Sequence, residues 1–282
     1  MRKRAYYSIR TGRHKDGVRF DLVMLQRLLR DLYLSFLERC YFQEAFGYDC
    51  VDEGQVAGSL GTDIEAQIFL SLRKSDLWPI QDKITSYSED DCFDTIEFLR
   101  DNVSKPVDGR YHSFSNCGWH YYTFNQQEGR EEFREAVNAI LRDYESGWEL
   151  SEDGEILALA DEGLEPLLEA NLPNYDPSNV ERRVEAAIRK FRRHGSTVED
   201  RRDAVRDLAD ILEFLRPKAA EHLLTRKDEN DLFQIANKFA IRHHDGRQKG
   251  EYNIAVWYSW MFYVYLATIH AAVRAIKQAE GR

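Results

Sequence analysis

The stretch Tyr252–Val273, YNIAVWYSWMFYVYLATIHAAV, contains no charged residue. A run of about 20 apolar residues is long enough to span a bilayer as a helix. This run also carries Tyr258, Ser259, Tyr263, Tyr265, Thr268 and His270. A membrane helix concentrates such groups at its two interfaces, whereas here they are spread along the middle of the run. The sequence therefore predicts no membrane span, and instead a central helix that its own domain and a partner bury.

Helical signals continue upstream of this stretch. Gly195 ends one helical pattern, and the Ser-Thr-Val-Glu sequence at 196–199 is a capping box that opens the next. Pro217 is typical of a first helical position, so it is predicted to start a new short helix. The predicted helices cover about 178–193, 196–215, 217–224, 228–241 and 252–278. Helices with such short connections predict a helical bundle over 178–282.

The N-terminal half mixes helices with short strands. Apolar residues at helical spacing predict helices over 21–39, 62–73, 88–101 and 130–145. Residues 104–127 are predicted to be irregular or short-strand material, and 148–156 a hairpin turning at Asp153-Gly154. The chain is thus predicted to be mainly α, with an α-rich domain over 1–160 that has small β elements and a hairpin. An acidic linker over 161–177 and the bundle over 178–282 complete it.

The charge is distributed unevenly along the chain. The net charge is −10, with −15 in residues 1–177, +4 in 178–249 and +1 in 250–282. An acidic protein has no general attraction for nucleic acid, so RNA contact would need a local basic surface in the C-terminal half. The basic residues over 182–193 could form such a surface, but Glu181 and Glu185 interrupt it. This favours a solvated helix face over an RNA-binding surface. The candidate RNA-binding residues are Arg189, Arg192, Arg193, Arg247 and Lys249.

The four cysteines show no CxxC spacing and no histidine cluster beside them. Such usage predicts a reduced cytoplasmic protein with free thiols, no structural zinc and no other cofactor. The basic start at residues 1–4 is followed by polar sequence, which does not match a secretion signal. The aromatic cluster over 111–124 includes His112 and His120, and it is predicted to pack in a core because no cysteine or carboxylate set accompanies the histidines. P-loop, GxSxG and HExxH motifs are missing from the sequence.

Two parts of the chain resemble known families. The segments 6–10, 41–47, 93–99 and 147–156 together resemble the N-terminal domain of AbiJ-type abortive-infection proteins, over roughly residues 1–158. A helix carrying Asn237 and Arg242-His243, a polar loop and a long final helix resemble the HEPN superfamily. This resemblance implies a metal-independent ribonuclease or toxin-like effector in phage defence. It also implies RNA as substrate, a homodimer formed through the bundle and a cognate defence-system protein as partner.

The resemblance places the candidate catalytic residues at Asn237, Arg242, His243 and His244. Arginine would stabilise the phosphate and histidine would act as acid and base during attack by the ribose 2′-OH. HEPN motifs usually have a histidine after the arginine, a polar residue and three to five more, and residues 247–249 contain none. Pairs with that spacing do occur at Arg189/His194 and Arg216/His222, but about two such matches are expected by chance.

Two interpretations of this motif therefore remain. In the first, Arg242 acts with the adjacent His243 or His244. In the second, the domain has lost catalysis and serves as a dimerisation, sensor or partner-binding module. The cations would then only complement the dipole at a helix C-terminus.

Overall fold

The computed structural model describes residues 6–12, 19–160, 163–168, 170–222 and 254–280. The chain divides into two compact units, Met1–Ala158 and Leu159–Arg282. Its described elements are mostly helices, accompanied by three two-stranded antiparallel sheets. The prediction of a mainly α fold with small β elements is confirmed.

Unit 1 combines short and long helices with the three strand pairs. Its helices are α1 (Tyr7–Arg10), α2 (Leu22–Glu38), α3 (Gln43–Phe46), α4 (Ile64–Leu72), α5 (Ile80–Lys83), α6 (Glu89–Asn102) and α7 (Gln126–Leu141). Its strand pairs are β1 (Tyr48–Cys50) with β2 (Gly54–Val56), β3 (Lys105–His112) with β4 (Gly118–Asn125), and β5 (Trp148–Leu150) with β6 (Ile156–Ala158). Single 3₁₀ turns occupy Ile84–Ser86 and Phe114–Asn116.

Side-chain caps define the helices that the sequence predicts well. The Asp21 carboxylate accepts from the Met24 amide at the start of α2. Ser88 and Asp91 form a reciprocal capping box at the start of α6. The predicted hairpin at 148–156 is also confirmed, with a positive φ of 94° at Gly154.

Helix α7 begins earlier than the sequence pattern predicts. The expected span was 130–145, but the helix covers Gln126–Leu141 because Asn125 caps it by accepting from the Glu128 amide. Gly129 lies inside the helix, where a Cβ atom would be 2.6 Å from the Lys105 amide nitrogen. The glycine is therefore not a helix break but the residue that lets α7 pack closely on the start of β3.

The core of unit 1 lies between α2, α6 and α7. Leu25, Tyr33 and Phe36 of α2 are buried, and the Phe36 ring meets the Phe133 ring of α7 edge-on at 5.3 Å. The buried Gln26 amide donates to the Tyr87 carbonyl at 2.6 Å, so this polar side chain is satisfied inside the core.

A charged network on the flank of this core centres on Glu132. Its carboxylate accepts hydrogen bonds from the Tyr41 hydroxyl and from Arg39 at 2.9 Å, and it pairs with Lys105 at 2.9 Å. The Arg39 guanidinium also lies over the Tyr41 ring. The hydrogen bonds from Tyr41 and Lys105 lower the pKa of Glu132 to about 2. The ionised carboxylate therefore stabilises unit 1.

Replacing Glu132 with glutamine is expected to cost about 1 kcal/mol at neutral pH, since the network is partly exposed to solvent. A carboxylate whose pKa is lowered by folding stabilises the folded state at pH values above its ordinary pKa, which is 4.5 for glutamate. That stabilisation is lost as the pH falls from 4.5 towards about 2, the pKa of Glu132 in the folded chain. The deficit of the variant should therefore shrink between pH 5 and pH 3. Urea unfolding at several pH values measures it, with the exposed Glu135→Gln as control. A deficit that stays constant with pH would contradict this assignment.

Unit 2 is built from helices. After α8 (Glu165–Leu168) and a π-helical turn at Pro177–Glu181 come α9 (Arg182–Arg192), α10 (Val198–His222) and α11 (Ile254–Glu280). The helices share one core, in which the Phe191 ring of α9 stacks on the Phe262 ring of α11 at 4.0 Å. Leu167, Leu168, Leu172 and Tyr175, from the segment predicted as an acidic linker, pack against this core.

Helix α10 differs from its predicted form at both ends. Its capping box pairs Thr197 with Asp200, one residue later than the predicted box. The helix then continues through Pro217 to His222, so the prediction of a separate helix starting at the proline is wrong. Ala219 is buried in the core and Lys218 pairs with Glu280 of α11 at 2.7 Å. These tertiary contacts offset the backbone hydrogen bond that proline removes.

Helix α11 is buried over most of its length. Met261, Phe262, Leu266 and Ile269 are fully inaccessible to solvent. His270 is also buried, and burial, followed by the nearby charge of Arg274, lowers its pKa. Among the described helices, none combines the length and the apolar character needed to cross a bilayer.

Candidate functional site

The candidate catalytic residues Asn237, Arg242, His243 and His244 lie outside the described residues, as do Arg247 and Lys249. The candidate RNA-binding residues that the structure describes are Arg189 and Arg192 in the last turn of α9, and Arg193 directly after it.

These described arginines surround the C-terminus of α9. Arg193 is exposed, whereas Arg189 and Arg192 are half-buried beside a helix face that packs Ala187 and Phe191 into the core. The neighbouring Lys190 pairs with Asp207 of α10. Basic groups at this end of a helix complement its dipole, which stabilises unit 2 whether or not RNA binds.

A different set of reactive side chains meets in unit 1. Cys50, His112, Cys117 and His120 place one sulfur or ring nitrogen each so that all four atoms lie within 4.8 Å of one another. Cys50 is buried and the other three are half-buried. We call these four residues the Cys–His cluster. Two thiols and two imidazoles form a ligand set that suits zinc.

The backbone brings the cluster together from two hairpins. Cys50 ends β1 and pairs with Gly54 of β2. His112 ends β3 opposite Gly118 of β4, so the tight connection between them carries Cys117 back beside the histidine. Gly118 adopts a positive φ of 101°, a conformation that glycine adopts at little cost and that turns the chain into β4.

The Gln43 side chain fixes β4 beside β1. Its amide nitrogen donates to the Trp119 carbonyl at 2.9 Å, and its amide oxygen accepts from the Tyr121 backbone amide at 2.6 Å. Gln43 begins α3, which leads directly into β1. This paired contact positions His120, which lies between the two bonded residues, against Tyr48 of β1.

Two close contacts define the inside of the cluster. The Cys50 sulfur lies 3.7 Å from His112 Nδ1, and the Cys117 sulfur lies 3.2 Å from His120 Nε2. On the outside, His112 Nε2 lies 3.2 Å from a carboxylate oxygen of Asp52, and the Tyr48 ring stacks on the His120 ring at 4.2 Å. Each imidazole is therefore held from behind while one ring nitrogen faces the sulfurs.

Two predictions about this region are wrong. The histidines do have cysteine partners, because the fold brings Cys50 next to His112, which lies 62 residues away in the sequence. The aromatic side chains around them do not form a core, since four of them are at least 48% exposed. The exposed aromatic residues are Tyr111, Phe114, Trp119 and Tyr122. The sequence signal that points to the cluster is His112-x4-Cys117-x2-His120, which places three ligand-type residues in one hairpin.

Residues of α6, α7 and the β5–β6 turn line an open cleft of about 410 Å³. Its arginines contact neighbouring acidic residues or carbonyls. Arg100 bonds to Asp101, Arg130 donates to the Asp101 carbonyl, and Arg134 pairs with Glu152. Because these cations are held by protein groups, the Cys–His cluster is the better candidate site.

Comparison with known proteins leaves the family open. No protein-family model, curated protein or solved structure matches the chain. The resemblance to AbiJ-type and HEPN proteins therefore stays a prediction.

Proposed function

We propose that the chain is a metal-independent ribonuclease of the HEPN kind that acts as a toxin-like effector in phage defence. The observation that supports the proposal is the helical architecture of unit 2, whose last described helix, the 27-residue α11, begins at Ile254, a short stretch after the Arg242–His244 segment. That order, a basic and histidine-bearing segment followed by a long buried final helix, is the order that the resemblance implies.

The proposed chemistry uses near-neutral proton transfer. His243 or His244 removes the proton from a ribose 2′-OH, whose oxygen then attacks the adjacent phosphorus. The 5′ oxygen of the next nucleotide leaves with a proton supplied by the imidazolium or by water, so the products are a 2′,3′-cyclic phosphate and a 5′-hydroxyl. Arg242 stabilises the charge on the phosphate through its two-pronged guanidinium. Asn237, five residues before Arg242 in the sequence, would orient the phosphate or an imidazole.

A homodimer would complete the site, with a cognate defence-system protein as a further partner. Val256, Trp257 and Trp260 in the first turns of α11 are 59%, 36% and 41% exposed. Their spacing places them on neighbouring parts of one helix surface. Exposed tryptophans are typical of protein interfaces, which supports a second copy of this chain as the occupant of this surface.

The test is cleavage of total RNA by the purified full chain, with and without a chelator for Mg²⁺. We expect the wild type to cleave in both conditions, and the Arg242→Ala/His243→Ala double variant to lose at least about 100-fold in rate. The exposed Arg27 of α2, replaced by alanine, provides a control that should cleave like the wild type. If the wild type cleaves RNA neither with nor without the chelator, the enzyme proposal is contradicted.

The second candidate function is a non-catalytic dimerisation and partner-binding module. The exposed apolar surface of α11 favours it, because that surface needs no chemistry to be useful. This function predicts a dimer in light scattering that Trp260→Ala weakens, together with no RNA cleavage. A dimer that also cleaves RNA would favour the ribonuclease.

A further inference from the structure

We propose that Cys50, His112, Cys117 and His120 bind one Zn²⁺ ion in a closed tetrahedral site. The site is independent of the proposed ribonuclease and lies in the other unit of the chain. With four protein ligands it has no open position for water or substrate, so its role is structural.

The donor distances agree with this coordination. Zinc–sulfur bonds of about 2.3 Å and zinc–nitrogen bonds of about 2.0–2.1 Å in a tetrahedron place neighbouring donor atoms about 3.3–3.8 Å apart. The Cys50–His112 and Cys117–His120 sulfur–nitrogen distances are 3.7 and 3.2 Å, and all pairs of donor atoms fall within 4.8 Å. Small side-chain rotations in the half-buried hairpin would bring the wider pairs to bonding geometry.

Asp52 supplies an independent indication of a metal. Histidines that bind metals commonly donate their second ring N–H to a carboxylate, which fixes the tautomer and the ring orientation. His112 has this arrangement, with Nδ1 towards Cys50 and Nε2 3.2 Å from the Asp52 carboxylate. The tautomer that this contact selects leaves Nδ1 with a lone pair directed at the cluster.

The chemistry of the ligands selects zinc. Two thiolates neutralise the charge of a divalent ion, so a half-buried site carries no net charge from its metal and sulfurs. Sulfur and imidazole ligands in a tetrahedral set are typical of zinc, whereas Mg²⁺ and Ca²⁺ prefer oxygen. Binding releases the two thiol protons to solvent, and no electron transfer is involved.

The position of the cluster explains what the metal would do. Isolated two-stranded sheets are marginally stable in water, and unit 1 has three of them among its described residues. Cys50 belongs to the β1–β2 hairpin, whereas His112, Cys117 and His120 belong to the β3–β4 hairpin. One zinc ion therefore fastens the two hairpins to each other. It also fixes the hairpin tip that carries exposed Phe114 and Trp119.

A disulfide between Cys50 and Cys117 is the competing explanation for their proximity. A disulfide would explain why the two sulfurs lie close together, but it would not explain why ring nitrogens of His112 and His120 lie beside them. The other two cysteines lie apart from the cluster. Cys92 is buried in the core, and burial raises the pKa of its thiol to about 12. Cys40 is half-buried, with its sulfur 3.8 Å from the Glu38 carbonyl.

Metal analysis of the full chain, purified from zinc-supplemented medium, tests the proposal. We expect about one zinc ion per chain in the wild type and in Cys40→Ser, and less than about a tenth of that in Cys117→Ser. Cys40→Ser is the matched control, because it makes the same chemical change at a half-buried cysteine outside the cluster.

A second measurement guards against a variant that fails to fold. Wild-type chain stripped of metal and titrated with Co²⁺ should develop the visible absorption of a tetrahedral cobalt–thiolate site, saturating at about one equivalent. Zinc should then displace the cobalt and raise the melting temperature. Wild type that contains no zinc and gives no such absorption would overturn the proposal. So would a Cys50–Cys117 disulfide found by alkylation and mass spectrometry in the freshly purified chain.

Discussion

In the proposed ribonuclease, glutamine at one of the two positions His243 and His244 should lower the rate of RNA cleavage by about 10²–10⁴-fold, and glutamine at the other should change it little. We expect a difference because one imidazole is enough to act as the base for the 2′-OH. Glutamine keeps a polar side chain of similar size but cannot carry a proton between groups near neutral pH. Single-turnover cleavage of a defined RNA, measured across pH 5 to 9, gives both rates.

The control for this pair is His194→Gln. This histidine has the motif spacing with Arg189, but that match is one of the two that are expected by chance. Cleavage by this variant should match that of the wild type. If neither His243→Gln nor His244→Gln slows cleavage, or if both do so only by unfolding the chain, the catalytic assignment is wrong.

The substitution Phe262→Ala in α11 should destabilise unit 2 by about 3–5 kcal/mol. The Phe262 side chain is fully buried and its ring stacks on Phe191, so truncation leaves a cavity between α9 and α11. A loss of this size corresponds to a melting temperature lower by on the order of 10–20 °C. Urea unfolding of the full chain measures the loss in the free energy of unfolding. Hydrogen exchange in α10 and α11 then shows whether that loss lies in unit 2.

Phe214→Ala is the matched control for Phe262→Ala. Phe214 lies on α10 in the same unit, but its side chain is 45% exposed. Its truncation removes less buried surface and should cost about 1 kcal/mol or less. Equal losses from the two variants would contradict the core that α9, α10 and α11 share.

Where helices have local start signals, the sequence predicts them well. Helices α2 and α6 follow the expected spans because Asp21 and Ser88 act as caps next to amphipathic patterns. The long final helix, predicted over 252–278, is found over Ile254–Glu280. Its uncharged run predicts a helix buried by protein, because polar side chains are spread along the middle of the run. In each case the information lies within a few residues of the element.

The elements that the sequence mispredicts depend on contacts between distant residues. Gly129 and Pro217 look like breaks in a one-dimensional pattern, yet both lie inside helices. The strands β3 and β4 are also longer than expected, because shifts in register near Asp108 absorb the irregular residues. Packing overrides local propensity at each of these positions.

The Cys–His cluster was missed for the same reason. Three of its members lie within residues 112–120, but Cys50 joins them only because the β1–β2 hairpin lies against the β3–β4 hairpin. A search for closely spaced cysteine pairs cannot find such a set.

Zinc K-edge X-ray absorption of the purified full chain tests the cluster most directly. Coordination by Cys50, His112, Cys117 and His120 predicts two sulfur atoms at about 2.3 Å and two nitrogen atoms at about 2.0–2.1 Å. The signal should be the same in Cys40→Ser and should lose one sulfur, or the metal itself, in Cys117→Ser. A spectrum with only nitrogen and oxygen neighbours, or one that Cys117→Ser leaves unchanged, would contradict the site.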